Sequence, residues 1–336
     1  MDNVKQLAKM MMENQVSDQA PAGMKIFPRS WTVEGNTRLL MIQIEDQKRI
    51  IAVGSGELWD ELTGDTDGEM KNCPLTHENR LVLNRHLPYT SPRAFGTKIA
   101  TIGLGDRLGL ASPGHIQTVK GRDIRPILAQ QSIRELSLTG RDYKEVMDAA
   151  CFAAFQEGYK DGFGADGDHL KLEEDIEMSL DLGFTMLTLD CSEHIDNDIE
   201  GLSDEEIAIK YEALDQSKRE HYEKSFLDQT FDVEGVNIQF DKSSLMKNVL
   251  IYAAAIDFME HIYVKYIQDA GREIDFEISI DETMTPTAPE AHYFVAEELY
   301  SRGLTIYSMA PRFCGEFQKG IDYIGDLAQF EQELNV

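Results

Sequence analysis

The sequence from about Lys98 onward alternates between short apolar runs and longer stretches with helical periodicity. Alternation of this kind is typical of parallel strands joined by helical crossovers, and it confines the chain to a small set of α/β folds. No Gly-x-Gly-x-x-Gly segment lies at a predicted strand–helix junction, which argues against a dinucleotide-binding sheet. Polar residues instead follow several different strands. Because a (β/α)8 barrel builds its active site at the carboxyl ends of its strands, a TIM-barrel-like fold fits this pattern best.

The predicted barrel is incomplete. We predict six parallel strands between Lys98 and Met309, at residues 99–103, 126–131, 162–166, 184–189, 274–280 and 304–309. A six-stranded barrel would expose unpaired strand edges, so we expect either that further strands escape prediction or that the chain is shortened.

The first ninety-odd residues have a different texture. Residues 39–44 and 49–54 predict two strands, and the polar residues 45–48 predict a hairpin turn between them. We therefore predict two domains. A β-rich N-terminal extension covers residues 1–95, and a barrel-like catalytic domain, with its last strands missing, covers residues 96–336.

The composition limits the partners that the chain can bind. Lys and Arg number 32 against 60 Asp and Glu, and the resulting net charge of -28 repels nucleic acid and anionic lipid. No apolar run approaches the roughly 18 residues of a membrane span, and the N-terminus lacks the apolar core of a secretory signal. Four scattered cysteines are typical of reduced thiols. We expect a cytoplasmic protein that binds a small molecule, and a homo-oligomer is compatible with the sequence.

The densest polar cluster occupies residues 166–171, with the sequence Asp-Gly-Asp-His-Leu-Lys. It follows a run of small residues at 162–165 that predicts the end of a buried strand. Carboxylate and imidazole groups are ligands of Zn, Mn, Fe and Ni, so the cluster predicts a metal-using enzyme. The structural alternative makes Asp168 a helix N-cap and His169 a capping residue.

Four further clusters follow predicted strands. Residues 103–115 contain Arg107, which suits a carboxylate, and a predicted helix near His115 whose N–H groups would hold an anion. The alternative for this segment is a structural turn with an Asp106–Arg107 pair. Residues 190–194 favour an ordinary acidic loop, so Asp190 receives at most a substrate-facing role.

The last two clusters lie at residues 277–283 and 310–320. Alternation along the strand places Glu277 and Asp281 on one side, which is the lumen of a barrel. A carboxylate in that position is costly unless it is hydrogen-bonded, faces a metal or takes part in catalysis. The segment 310–320 adds Arg312, Glu316 and Lys319.

The sequence resembles the tagaturonate/fructuronate epimerase family in four segments. They are residues 105–115 (GDRLGLASPGH), 165–171 (ADGDHLK), 281–283 with 287–294 (DET and TAPEAHYF), and 310–313 with 315–323 (APRF and GEFQKGIDY). Their joint occurrence from about Gly105 to Asp326 is specific. The resemblance implies an isomerase of hexuronate catabolism that interconverts D-tagaturonate and D-fructuronate with a divalent metal cation (Mn, Fe, Co, Ni or Zn).

The resemblance also implies roles for individual residues. Asp168 would be the proton acceptor, Glu282 the proton donor, and His169 and Glu316 metal ligands; the choice of Glu282 over Glu277 stays open. From their chemistry alone, Arg107, Arg312 or Lys319 could hold the substrate carboxylate, and His115 is a further candidate for substrate binding.

The family continues past Val336 with a strand whose histidine completes the metal site, so we expect a shortened chain. A retro-aldol route through an enediolate is the expected mechanism. The alternative function is that of a catalytically silent barrel fragment that binds a ligand or assembles with a partner.

Overall fold

The computed structural model describes residues 2–16, 21–281, 283, 286–317 and 321–335. Contacts between Cα atoms divide the chain into two compact units, the first formed by residues 1–168 and 178–186 and the second by residues 169–177 and 187–336. This division lies elsewhere than the predicted boundary at residue 95, which stays a prediction.

The first unit begins with helix α1 (Asp2–Met12) and an antiparallel sheet of five strands in the order β1-β2-β3-β5-β4. The strands are β1 (Lys25–Glu34), β2 (Thr37–Ile44), β3 (Gln47–Gly54), β4 (Asp65–Asp67) and β5 (Met70–Pro74). Strands β2 and β3 pair in register from Thr37↔Gly54 to Ile44↔Gln47, so the predicted hairpin is confirmed.

Both faces of β2 and β3 are buried, which explains their continuous apolar sequence. Leu39 and Met41 face a core that includes Phe152 and Phe155 of a later helix. Residues of opposite parity, such as Leu40, lie in a second core with α1. Since successive side chains of a strand point to opposite sides, one short segment serves two cores. Helices α2 (Glu57–Glu61) and α3 (His77–His86) complete this part of the unit.

The remainder of the first unit alternates strands and helices as predicted. It contains β6 (Thr101–Gly103), α4 (Ser112–Val119), β7 (Arg125–Gln130), α5 (Ile133–Thr139), α6 (Tyr143–Glu157) and most of β8 (Gly164–Leu170). Strands β6, β7 and β8 are parallel neighbours. Helix α6 begins with a capping box, in which Asp142 accepts from the backbone of Glu145 and the Glu145 side chain reaches back.

The second unit carries the later strands and most of the later helices. They are β9 (Met186–Asp190), α8 (Asp204–Glu212), α9 (Gln216–Phe226), the hairpin β10 (Thr230–Val233) and β11 (Val236–Gln239), α10 (Lys242–Ile262), β12 (Asp275–Ser279), α11 (Pro289–Ser301), β13 (Ser308–Ala310) and α12 (Leu327–Leu334). Helix α7 (Glu173–Asp181) crosses the boundary between the units. Helix α10 continues into a π-helical turn, Tyr263–Ile267.

The fold is mixed α/β. The parallel strands form a six-stranded sheet in the order β13-β12-β9-β8-β7-β6, so each of the six predicted strands has a counterpart among the described residues. A closed eight-stranded barrel is not shown, and the (β/α)8 prediction holds only as far as this parallel sheet. Within the described ranges, no helix combines the length and the apolar character needed to cross a membrane. All four cysteines are unbridged, as predicted, and all four are buried.

Candidate functional site

The predicted cluster at residues 166–171 lies on a strand rather than after one. The strand was predicted to end at residue 166, but β8 continues to Leu170. Asp168 and His169 therefore lie near its carboxyl end. His169 adopts a positive φ of 54°, an uncommon conformation for a residue other than glycine. Backbone strain of this kind concentrates at binding and catalytic positions. Asp168 belongs to the first unit and His169 to the second.

A buried carboxylate, Asp190, holds the side chains around His169 in place. Asp190 lies at the carboxyl end of β9 with its side chain 1% exposed. Its Oδ2 atom lies 3.3 Å from Lys171 Nζ and 3.8 Å from His169 Nδ1. Its Oδ1 atom accepts hydrogen bonds from the backbone N–H of Ser192 at 2.9 Å and from Ser192 Oγ at 2.6 Å. Lys171 Nζ also donates to Ser192 Oγ at 3.1 Å, so the four residues form one network.

The network keeps Asp190 ionised. Burial raises the pKa of this carboxyl, but the nearby imidazole of His169, the hydrogen bonds from Ser192 and the charge of Lys171 outweigh burial and lower the pKa well below its usual range. Asp190 therefore carries a full negative charge at neutral pH. Asp190 was predicted to have at most a substrate-facing role, and its part in this network was missed. The available signal was the i, i+2 spacing of His169 and Lys171 at the end of β8.

A second group of predicted residues lines one cleft of about 760 Å³ in the second unit. Its wall includes Asp281, Arg312 and Glu316, together with aromatic side chains. The guanidinium of Arg312 donates from Nη1 to the carbonyl of Thr283, and its backbone N–H donates to Thr287 Oγ1 at 3.0 Å. Arg312 was predicted to bind the substrate and Glu316 to bind a metal. Both residues line this cleft, and Asp281 lines it too.

Two carboxylates of strand β12 and its end are held by hydroxyl groups. Glu277 accepts from Thr188 Oγ1 at 3.3 Å and from Ser308 Oγ, so its two oxygens are bound by residues of β9 and β13. Asp281 accepts from Ser279 Oγ at 2.5 Å. Of the alternatives considered for carboxylates on this strand, hydrogen bonding is present for both.

In the first unit, the loop before α4 is organised by Asp106. Its carboxylate accepts backbone hydrogen bonds from Leu110 (2.9 Å), Ala111 (2.8 Å) and Ser112 (2.8 Å) and a further bond from the Ser112 hydroxyl. Burial raises the pKa of Asp106, but these bonds outweigh it and lower the pKa below its usual value. The N–H groups that were expected to hold an anion near His115 are therefore already occupied by a side chain of the protein.

The other predicted residues of this loop have separate surroundings. Arg107 pairs with Glu135 rather than with Asp106, which the structural alternative had expected. The Nδ1 atom of His115 is buried and has no hydrogen-bond partner within the described part of the chain.

Two predicted site residues, Glu282 and Lys319, lie outside the described residues. Within the described ranges, no three His, Cys, Asp or Glu side chains gather as a metal site. The roles predicted for Asp168, His169, Glu282 and Glu316 stay predictions.

Comparison with known proteins shows the family of the chain. Residues 27–336 match the family model described as tagaturonate epimerase. The tagaturonate/fructuronate epimerase of Thermotoga maritima is 42% identical over 264 residues, which are 79% of this chain and 54% of the relative.

Crystal structures of the fructuronate-tagaturonate epimerase UxaE from Cohnella laeviribosi, in a native form and with one glycerol bound, are 59% identical to the chain. Each superposes on this chain with a TM-score of 0.92. The match covers 99% of this chain and 66% of the Cohnella laeviribosi chain. The chain therefore spans about half the length of the curated relative and just under two thirds of the solved structures. The chain belongs to the tagaturonate epimerase family.

Proposed function

We propose that the chain acts, in the cytoplasm, in the interconversion of D-tagaturonate and D-fructuronate. The observation that carries the proposal is the cleft that brings Arg312 and Glu316 together in a member of the tagaturonate epimerase family. A hexuronate offers one carboxylate and several hydroxyl groups. Arg312 is suited to the carboxylate because its planar guanidinium can bind both oxygens, and Asp281 and Glu316 can accept hydrogen bonds from hydroxyls.

The chemistry requires more than removal of a proton from carbon. The two sugar acids differ at a hydroxylated carbon that lies β to the ketone, so abstraction of the α-proton cannot invert it. We propose that a base takes the proton of the β-hydroxyl group and that the bond between the α and β carbons then breaks. This step yields an aldehyde and an enediolate. After the aldehyde rotates, the carbon–carbon bond forms on its other face, and a second group returns a proton to the new alkoxide.

The proposal gives Asp168 the part of the proton acceptor and Glu282 that of the donor. Two carboxyl groups suit this exchange because each proton transfer is then made by a positioned side chain. Glu277 is less suited to it, since both of its oxygens are bound by the hydroxyls of Thr188 and Ser308.

A divalent metal cation is part of the proposal, with His169 and Glu316 as ligands. The chemistry around His169 fits a metal ligand, because its Nδ1 atom faces the buried carboxylate of Asp190 and its Nε2 atom is the one that would bind. When bound, such a cation would act as a Lewis acid on substrate oxygens. Asp190, Lys171 and Ser192 would hold the imidazole in its orientation.

The experiment incubates the purified protein with D-tagaturonate in D2O and follows D-fructuronate by chromatography and NMR. Turnover without deuterium on carbon is expected, because the retro-aldol route exchanges only hydroxyl protons. Deuterium beside the ketone would refute the route, and ligand binding without turnover would favour the silent-fragment alternative.

Variants assign the proton transfers. Asp168→Asn and Glu282→Gln should each lower turnover by about 10²–10⁴-fold while leaving the circular dichroism spectrum unchanged. Asp123→Asn, at an exposed position between α4 and β7, is the matched control and should keep full activity. Unchanged activity in either test variant would remove that residue from the mechanism. Metal content, measured beside activity in His169→Ala and Glu316→Gln, tests the ligands independently.

A further inference from the structure

The first unit contains a cleft of about 680 Å³ that the proposed epimerase chemistry does not use. It opens between the start of β1 and the helices α4 and α6. Its volume lies within the range of about 300–1,000 Å³ that is usual for sites of small molecules. Its wall combines apolar residues with side chains that carry charge or can form hydrogen bonds, namely Lys25, Arg29, Gln117, Gln156 and Glu157.

The single carboxylate of this wall is fully engaged. Glu157, with its side chain 6% exposed, accepts from Arg29 Nη1 at 2.7 Å, from Gln117 Nε2 at 3.2 Å and from Gln156 Nε2 at 2.9 Å. Its charge is therefore balanced by Arg29. The walls are also held closely together, because a Cβ atom on Gly158 would lie 2.3 Å from the carbonyl oxygen of Arg29.

Two lysines, one in the wall of the cleft and one beside it, form no such ion pair within the described ranges. Lys25 and Lys48 pair in register with the same residue, Gln43 of β2, so all three side chains project from one face of the sheet. The two ammonium groups lie 4.9 Å and 5.3 Å from the ring centroid of Phe27. Lys48 Nζ donates to Gln156 Oε1 at 2.7 Å, and within the described ranges neither lysine forms an ion pair with a carboxylate.

The two positive charges of Lys25 and Lys48 repel each other. Burial lowers the pKa of Lys48 and the nearby charge of Lys25 lowers it further, which outweighs the opposite effect of the Glu157 and Asp106 carboxylates. Three cations, Lys25, Arg29 and Lys48, here face two carboxylates, Glu157 and Asp106, in a protein whose net charge is -28. This region therefore carries a local excess of positive charge in a strongly acidic protein.

We propose that this cleft binds a small metabolite that carries an oxyanion group, either a carboxylate or a phosphate. The oxyanion would lie between the ammonium groups of Lys25 and Lys48, where it relieves their mutual repulsion. The amides of Gln117 and Gln156 line the same cleft and can bind hydroxyl or carbonyl groups of the ligand. This site belongs to the first unit and is independent of the proposed epimerase reaction.

The test measures the thermal unfolding of the whole chain against increasing concentrations of inorganic phosphate and, separately, of D-glucuronate. Ionic strength is held constant with sodium chloride. A ligand that binds only the folded state raises the midpoint temperature in a saturable way, by about 2–4 °C at concentrations well above its dissociation constant. Saturation by phosphate alone assigns a phosphate ester, and saturation by both assigns a general oxyanion site.

Two variants and one control make the result specific. Lys25→Ala and Lys48→Met should each weaken binding at least tenfold, whereas Lys242→Ala, an exposed lysine on α10, should bind like the wild type. Lys25 is exposed on the strand, so its variant is expected to fold even where Lys48→Met does not. Wild-type affinity in Lys25→Ala, or a midpoint that sodium chloride raises equally, would overturn the proposal. Neither readout depends on epimerase activity.

Discussion

Replacement of the buried carboxylate Asp190 by its neutral isostere tests whether the network around His169 is held by charge. Asp190→Asn keeps the shape of the side chain and one oxygen that can accept from Ser192. It removes the charge that faces Lys171 at 3.3 Å. The perturbation is therefore electrostatic, with little change in packing.

The size of the effect follows from burial. Loss of one partner from a fully buried ion pair costs about 3–5 kcal/mol of unfolding free energy. Asp190 is 1% exposed, but the side chain of Lys171 is 36% exposed, so water screens the pair and compensates the released ammonium group. We therefore expect the variant to lose about 2 kcal/mol at neutral pH.

The pH dependence has a definite direction. Since the pKa of Asp190 is lowered in the folded protein, its contribution is fully present above the ordinary aspartate pKa of about 3.9 and disappears as the pH falls through the lowered folded value. The difference in unfolding free energy between wild type and Asp190→Asn should shrink as the pH falls from about 5 toward about 2.

Urea unfolding followed by circular dichroism at several pH values measures both quantities. Asp123→Asn, at an exposed loop position, is the matched control and should differ from the wild type by less than about 0.5 kcal/mol. An Asp190→Asn protein as stable as the wild type at neutral pH would refute the reasoning. A difference that stays constant into acid would show that the loss comes from packing and not from charge.

Two further predictions concern other buried groups. The guanidinium of Arg302 lies 3.0 Å from the buried carboxylate of Glu298 and 2.9 Å from that of Asp257. Arg302→Met should therefore lower the free energy of unfolding in urea by about 3 kcal/mol. An unchanged midpoint would contradict a structural role for these ion pairs. Burial raises the pKa of the Cys73 and Cys151 thiols to about 12, so both should resist iodoacetamide at pH 8 until urea unfolds the chain, as mass spectrometry of the labelled peptides would show.

Strands β7 and β9 of the parallel sheet were predictable because burial on both faces leaves a continuous apolar run in the sequence. Strand β7 was predicted at residues 126–131 and lies at Arg125–Gln130. The end of β8 was predicted four residues too early, because its last residues are polar and no longer follow the apolar pattern. The positive φ of His169 belongs to the same stretch. Polar functional residues at the end of a strand thus make that end difficult to predict from the sequence.

The residues of the candidate site were predictable as types and positions but not as partners. Composition at the strand ends singled out Arg312 and Glu316, and one cleft of the second unit contains both. Arg107 was chosen by the same reasoning, yet its guanidinium pairs with Glu135, a residue 28 positions later on α5. A charged side chain after a strand predicts that a carboxylate will be near, but the sequence does not say whether that carboxylate belongs to a ligand or to the protein.

The Asp190 network shows why this limit is physical. The cost of burying Asp190 is offset in part by its neighbour Ser192 and in part by groups from another segment of the chain, namely the ammonium of Lys171 and the imidazole of His169. Each of these residues reads as an ordinary strand-end polar group when it is considered alone. Their combined charge, and hence the orientation that they impose on the imidazole, exists only when β8 and β9 bring them within about 4 Å of each other. The network that orients His169 therefore depends on the pairing of β8 with β9. The six-residue motif at 166–171 contains His169 and Lys171 but not Asp190, so the motif alone does not predict the network.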